Sequence, residues 1–150
     1  MATKTNAVRL VQQAGIPCRE AFYEFDEQDL SGVHAAQAIG MPEEQVFKTL
    51  VARGEKTGIN VFCIPVCCEL DLKKAAKAAG DKNMELVAVK ELLGLTGYIR
   101  GGCSPIGMKK AFPTFVDSAA QHLERVSVSA GVRGCQVIPV SYTHLTLPTT

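Results

Sequence analysis

The segment VFKTLVARGEKTGINVFCIPV, residues 46–66, contains two apolar runs that are separated by the turn-forming residues GEKTG. Two such runs, rich in Val, Ile and Phe and joined by a short Gly-containing linker, are typical of a β-hairpin. Lys48 interrupts the first run, although lysine is among the side chains most rarely buried. Either it points outward from a half-buried strand, or it faces a cleft and meets a negatively charged ligand.

Helix and strand signals flank this hairpin on both sides. Capping residues followed by glycine stops predict short helices over 5–15, 31–40 and 71–80, and the sequence VKELL predicts another around 89–93. Apolar extended runs predict strands at 19–25, 111–117, 125–130 and 135–138. This mixture predicts an α+β fold, a single compact domain with a curved, mixed, largely antiparallel and barrel-like sheet flanked by helices.

Composition and charge limit the classes of function. The chain has 150 residues, 47% hydrophobic and 21% charged, which excludes a wholly disordered protein and fits one domain. A net charge of +1 argues against a non-specific nucleic-acid coat protein. However, residues 71–110 hold eight basic and four acidic side chains. This basic region could contact a few phosphates, or it could be an ordinary solvated surface.

No segment of the sequence resembles a signal peptide or the roughly 18 apolar residues that a membrane span needs. We therefore expect a cytoplasmic protein with no membrane partner, and free thiols rather than disulfides. The cluster Cys63, Cys67 and Cys68 has no second pair at ligand spacing, so we expect neither a metal site nor another cofactor.

The segment PVSYTHLTLPTT, residues 139–150, differs from everything before it. It carries no charge and shows neither a helical nor a clean period-two pattern. We interpret residues 1–138 as the domain, truncated at its C-terminus, and 139–150 as a non-native or disordered tail. The alternative is a genuine extended polar tail.

The segment GYIRGGCSPIGMKK, residues 97–110, contains four glycines and one proline. Glycine permits positive φ and leaves the backbone unobstructed, so such a loop can direct main-chain groups at a small ligand. It does not match the P-loop pattern GxxxxGK[ST]. The alternative is a tight connection between two strands, which glycine content alone does not exclude.

Taken together, VFKTL, PVCCELDLKKAAKAAG, TGYIRGGCSPIGMKKAFPTFVD and VSAGVRG resemble the YbaK/EbsC family over residues 3–138. These are aminoacyl-tRNA deacylases, typified by the Cys-tRNA(Pro) deacylase and related to the editing domain of prolyl-tRNA synthetase. The resemblance implies hydrolysis of mischarged tRNA in trans by a compact α+β domain. Mischarged tRNA is then the partner, with prolyl-tRNA synthetase as a candidate second partner.

The resemblance also assigns site residues. It implies catalytic roles for Lys48, which would position the tRNA end electrostatically, and for Gly101, which begins the family's GxxxP loop. Substrate-binding residues would be Tyr23, Thr49, Gly102, Ser104, Pro105, Ser129 and Arg133. The basic side chains expected to bind tRNA are Lys73, Lys74, Lys77, Lys109 and Lys110. Gln136 departs from the acidic residue typical of Cys-tRNA(Pro) deacylases, which leaves the amino-acid specificity open.

For a cysteinyl substrate the resemblance implies that the substrate's own thiol attacks its ester and forms a thiolactone. Cys103 lies in the glycine-rich loop, but no histidine close in sequence would activate it as a nucleophile. A deacylase for another small amino acid, such as alanine on tRNA(Pro), is one alternative. A non-catalytic tRNA-binding module is the other.

Overall fold

The computed structural model describes residues 5–123 and 125–139, which form one mixed α+β domain. The described part contains four α-helices and two 3-10 helices, together with seven strands in two sheets. The α-helices are α1 (Asn6–Gln13), α2 (Gly32–Ile39), α3 (Leu72–Ala79) and α4 (Val89–Thr96). The strands are β1 (Cys18–Phe22), β2 (Phe47–Gly54), β3 (Gly58–Pro65), β4 (Met84–Leu86), β5 (Thr114–Val116), β6 (Val128–Ser129) and β7 (Cys135–Pro139).

The predicted starts of three helices are confirmed by their caps, and the first helix ends at Gln13, before the predicted stop at Gly15. The Thr5 hydroxyl accepts a hydrogen bond from the Val8 N–H at 3.2 Å, and the Ser31 hydroxyl accepts one from the His34 N–H at 3.2 Å. Asp71 caps α3 in the same way, and Gly80 ends that helix at φ 75°. Within the described residues, no helix has the length and apolar character that a membrane crossing requires.

The predicted hairpin is formed by β2 and β3, which pair in antiparallel register from Phe47↔Pro65 to Gly54↔Gly58. β4 extends this sheet antiparallel to β2, and β5 extends it parallel to β3. β4 was not among the predicted strands. The second sheet has the order β1-β7-β6 and is antiparallel.

The α+β class is confirmed, but the two sheets do not close into the expected barrel. β6 is only two residues long and pairs with β7; among the described residues, the two sheets are joined by one β-bridge, between Val46 and Ser127. The predicted tail at 139–150 lies outside the described residues except for Pro139, which ends β7. The bounds of the domain remain a prediction.

Two apolar clusters hold β2 in place from opposite sides. Phe47 and Cys63 pack with Val128 and Val137 of the second sheet. Ala52 and Phe62 pack instead against the alanines of α3. Because side chains alternate along a strand, odd-numbered residues of β2 lie on the same face as Phe47 and even-numbered residues lie on the same face as Ala52.

Candidate active site

A cavity of about 570 Å³ surrounds the first half of β2. Lys48 and Leu50 line it from one face of the strand, and Thr49 and Val51 line it from the other. Its remaining walls come from the start of α2, the segment from β4 into α4, the loop at 100–103 and the second sheet. The volume lies within the roughly 300–1,000 Å³ of small-ligand pockets.

The cavity brings together five of the residues predicted for the site: Lys48, Thr49, Gly101, Tyr23 and Ser129. Lys48 is half-buried and is one of the residues that line the cavity. Four other predicted residues do not line the cavity within the described part of the chain: Gly102, Ser104, Pro105 and Arg133. Their predicted contacts with substrate stay untested.

Those residues instead shape the glycine-rich wall. Gly101 has φ 86°, and a Cβ on Gly102 would lie 3.0–3.1 Å from the backbone of Val132 and Arg133. The Ser104 hydroxyl is fully buried and accepts a hydrogen bond from the Ile106 N–H at 3.2 Å. The Arg133 Nε donates to the Arg100 carbonyl at 2.8 Å, which ties the turn before β7 to the loop.

Tyr98 was not predicted as a site residue, but its hydroxyl holds the C-terminal part of this loop in place. Its hydroxyl donates to the carbonyls of Ile106 at 2.6 Å and Gly107 at 3.2 Å. Burial raises the pKa of Tyr98, so the phenol keeps the proton that makes these bonds. The sequence shows an aromatic residue beside Gly97 but gives no indication of this closure.

Neutral polar groups form the wall contributed by the second sheet. Gln136 is 5% exposed, and its Oε1 accepts a hydrogen bond from the Ser127 hydroxyl at 2.8 Å. Burial raises the pKa of the adjacent Tyr23, while hydrogen bonds with the Gly134 backbone and the Gln136 side chain lower it in part. The cavity therefore presents a protonated phenol and a neutral amide at this wall.

Conventional acid-base side chains do not surround this cavity. Of the described residues that line it, none is a histidine, an aspartate or a glutamate. Burial raises the pKa of the Cys103 thiol to about 11, so little thiolate exists at neutral pH. The described His, Cys, Asp and Glu side chains also form no group of three that could hold a metal ion.

The five lysines predicted to bind tRNA are exposed, and none lines the cavity. Lys73, Lys74 and Lys77 lie on α3, which packs against the sheet through its alanines. Lys74 also borders a second cavity of about 310 Å³, together with Asp71 and Asp117. Contact between these lysines and tRNA remains a prediction.

The start of α2 forms a cavity wall that the sequence did not indicate. Leu30, Ser31 and Gly32 all line the cavity. A Cβ on Gly32 would overlap a Val66 methyl and would lie 3.9 Å from the Lys48 Cβ. Ser31 was identified as a cap, but its proximity to β2 depends on a contact between distant parts of the chain.

Comparison with known proteins identifies the family of this chain. The family model described as "Aminoacyl-tRNA editing domain" matches residues 30–145. Over 134 residues the chain is 50% identical to an Enterococcus faecalis protein named "Putative Cys-tRNA(Pro)/Cys-tRNA(Cys) deacylase EbsC", which covers 89% of this chain and 82% of that relative.

Solved structures share the fold. The crystal structure of a hypothetical protein superposes with a TM-score of 0.81 at 20% identity and covers 95% of both chains. The "Crystal structure of a putative trans-editing enzyme for prolyl tRNA synthetase" superposes with a TM-score of 0.77 at 24% identity, covering 96% of this chain and 90% of that one. The family resemblance is confirmed by these matches taken together, and the chain belongs to the family of aminoacyl-tRNA editing domains.

Proposed function

We propose that this protein hydrolyses, in trans, the ester bond of mischarged tRNA, and that Cys-tRNA(Pro) is its main substrate. The family membership and the name of the Enterococcus faecalis relative support an aminoacyl-tRNA deacylase. The single observation that carries the proposal is the cavity in which Lys48, Thr49 and Gly101 meet Tyr23 and Ser129.

Lys48 positions the end of the tRNA in this proposal. Its ammonium group holds a phosphate or the ribose of the terminal nucleotide, while the aminoacyl group enters between β2 and the glycine-rich loop. An ion pair in a partly desolvated cleft is stronger than one in bulk water, so a single lysine can fix the reacting ester in place.

The substrate's own thiol supplies the nucleophile. Its sulfur attacks the ester carbonyl carbon, the bond from that carbon to the ribose oxygen breaks, and the thiol proton ends on the ribose oxygen. The cysteinyl group leaves as a four-membered thiolactone, which water then opens to free cysteine. This route needs no enzyme nucleophile, in keeping with the high pKa of Cys103 and with a described cavity lining that contains no histidine, aspartate or glutamate.

Gln136 is the reason to keep alanine as a second candidate amino acid. A neutral amide cannot pair with the substrate's α-ammonium as a carboxylate can, so the site departs from the pattern typical of Cys-tRNA(Pro) deacylases and the amino acid it accepts stays open. An alanyl ester carries no thiol, and its hydrolysis would require a water molecule positioned by the cavity.

The tRNA body binds the exposed lysines of α3 together with Lys109 and Lys110. We place the reaction in the cytoplasm, where mischarged tRNA arises, and prolyl-tRNA synthetase is the partner that would release it.

The test is incubation with Cys-tRNA(Pro) and Ala-tRNA(Pro), with the remaining ester and the bound tRNA measured separately. Release of cysteine well above the spontaneous rate, with thiolactone trapped early in the reaction, supports the proposal. If only alanine is released, alanyl-tRNA rather than cysteinyl-tRNA is the substrate. Binding of tRNA while both esters decay at their spontaneous rates would leave only a tRNA-binding module.

A further inference from the structure

The edge of β2 that faces away from β3 is paired on both sides of Thr49, with Ser127 before it and with the segment around β4 after it. At one point the Phe47 N–H donates to the Ser127 carbonyl at 2.8 Å. At the other, the Val51 carbonyl accepts from the Val87 N–H at 3.0 Å. Because backbone groups alternate in direction along a strand, the N–H and C=O of odd-numbered residues in this segment point to this edge.

Thr49 lies midway between these two points and has the same orientation. Its opposite residue on β3 is Cys63, whose carbonyl accepts from the Asp117 N–H at 2.9 Å on the β5 side. The pair Thr49↔Cys63 is therefore one of the non-hydrogen-bonded pairs of the hairpin. Within residues 5–123 and 125–139, no backbone hydrogen bond from β4 or β6 closes the edge at Thr49.

This gap is one residue wide and opens into the cavity. Phe47 and Val51 are each two residues from Thr49, or about 7 Å along an extended strand. Thr49 lines the cavity, as do residues from both faces of β2 on either side of it. An unpaired N–H and C=O at a cavity wall form a ready site for a ligand with one acceptor and one donor at strand spacing.

An aminoacyl ester has that arrangement. Its α-ammonium, Cα and carbonyl follow one another as the N–H, Cα and C=O of a strand residue do. A strand residue that forms a hydrogen-bonded pair with Thr49 would donate its own N–H to the Thr49 carbonyl. Its own carbonyl would accept from the Thr49 N–H.

We propose that the aminoacyl group of the substrate binds as a one-residue strand paired with Thr49. The α-ammonium donates to the Thr49 carbonyl, and the Thr49 N–H donates to the ester carbonyl oxygen. This inference rests on the proposed function, because it assigns the position of the ester within the same cavity.

Two properties follow from this pairing. The Thr49 N–H stabilises the negative charge that develops on the carbonyl oxygen during thiol attack, and the Thr49 carbonyl holds the ammonium without a carboxylate at position 136. A peptidyl group does not fit, because Ser127 and Val87 already occupy the positions on either side of the gap.

The direct test is hydrogen exchange at single amides, measured by NMR with and without 3′-deoxy-3′-(cysteinylamino)adenosine. This compound keeps the ammonium and the carbonyl but replaces the ester by an amide that resists cleavage. We expect exchange at the Thr49 N–H to slow at least tenfold when the compound saturates the cavity. The Leu50 N–H is the internal control, because it faces β3 and should be protected in both states.

A second test separates the backbone of Thr49 from its side chain. Thr49→Pro removes the N–H at an edge position where proline is tolerated, whereas Thr49→Ala removes the hydroxyl and keeps the N–H. Loss of one oxyanion donor typically lowers kcat by about 10²–10³. We expect the proline variant to be about 100-fold slower than the alanine variant.

The outcomes distinguish the two proposals. If the compound shifts the Gly101 amide signal but leaves Thr49 exchange unchanged, the pairing is wrong while the deacylase function stands. Equal deacylation rates for Thr49→Pro and Thr49→Ala would likewise show that the pairing is wrong. If the compound does not bind and the wild-type protein leaves every ester intact, both proposals fail.

Discussion

Replacing Gly101 by alanine tests whether the shape of the glycine-rich wall is built into this residue. Gly101 has φ 86°, a conformation that costs an L-residue about 1–2 kcal/mol. The lower unfolded-state entropy of alanine offsets about 0.4–1 kcal/mol of this. The new Cβ would also lie 3.2 and 3.3 Å from the Leu30 side chain, and a strained Leu rotamer costs about 1 kcal/mol. We expect a total destabilisation of about 2 kcal/mol.

Gly80 provides a matched control for this substitution. It has φ 75° at the end of α3, and a Cβ there meets nothing within 4 Å. Gly80→Ala should therefore cost only the conformational part, about 1 kcal/mol. Urea unfolding gives both values, and deacylation is measured where both variants are folded. Gly101→Ala should lower the rate at least tenfold, and Gly80→Ala should leave it within twofold. Equal stability losses and equal rates for the two variants would refute the assignment of Gly101 to the cavity wall.

Three further predictions concern packing, pH and salt. Gly32→Ala should destabilise the fold by about 1–3 kcal/mol because its Cβ meets Val66. In a double-mutant cycle, Val66→Ala in the same chain should recover part of that loss. Strictly additive changes in the free energy of unfolding would contradict the contact. Hydrogen bonds from the backbone and side chain of Thr57 hold the pKa of Asp81 well below its usual range. The stability contributed by this carboxylate is therefore complete above the unfolded pKa near 4 and is lost as the pH falls through the folded pKa. Asp81→Asn should unfold more readily in urea at pH 7, and its free energy of unfolding should depend less on pH between 4 and 2. An acid-unfolding profile identical to that of wild type would contradict this. Replacing the three lysines of α3 by glutamine should reduce the salt dependence of deacylation, since fewer counterions are displaced when tRNA binds. An unchanged dependence of the rate on salt concentration would show that tRNA binds another surface.

Local chemistry explains why much of the fold could be predicted. A hydroxyl or carboxylate at Thr5, Ser31 or Asp71 satisfies free N–H groups of the helix that follows, so each cap is visible in the sequence. The hairpin was equally accessible, because its two runs and its turn are adjacent in the chain. Lys48 and Gly101 were placed through the family motifs, and the structure brings both to one cavity.

The remaining features depend on contacts between distant residues. The number of sheets follows from the single bridge between Val46 and Ser127, which no local pattern encodes. The bond from Arg133 to the Arg100 carbonyl joins residues 33 apart, and it gives a predicted substrate-binding residue a role in holding the loop. The open edge at Thr49 appears only when the pairing on both sides is known.

The most direct measurement of the central claim is the single-turnover rate of Cys-tRNA(Pro) deacylation by wild type, Lys48→Ala and Lys90→Ala. Lys90 is an exposed lysine of α4 that does not line the cavity, so it controls for the loss of one positive charge. We predict wild-type and Lys90→Ala rates within twofold of each other and far above spontaneous hydrolysis, with Lys48→Ala at least 100-fold slower. A Lys48→Ala rate equal to that of Lys90→Ala would contradict the account.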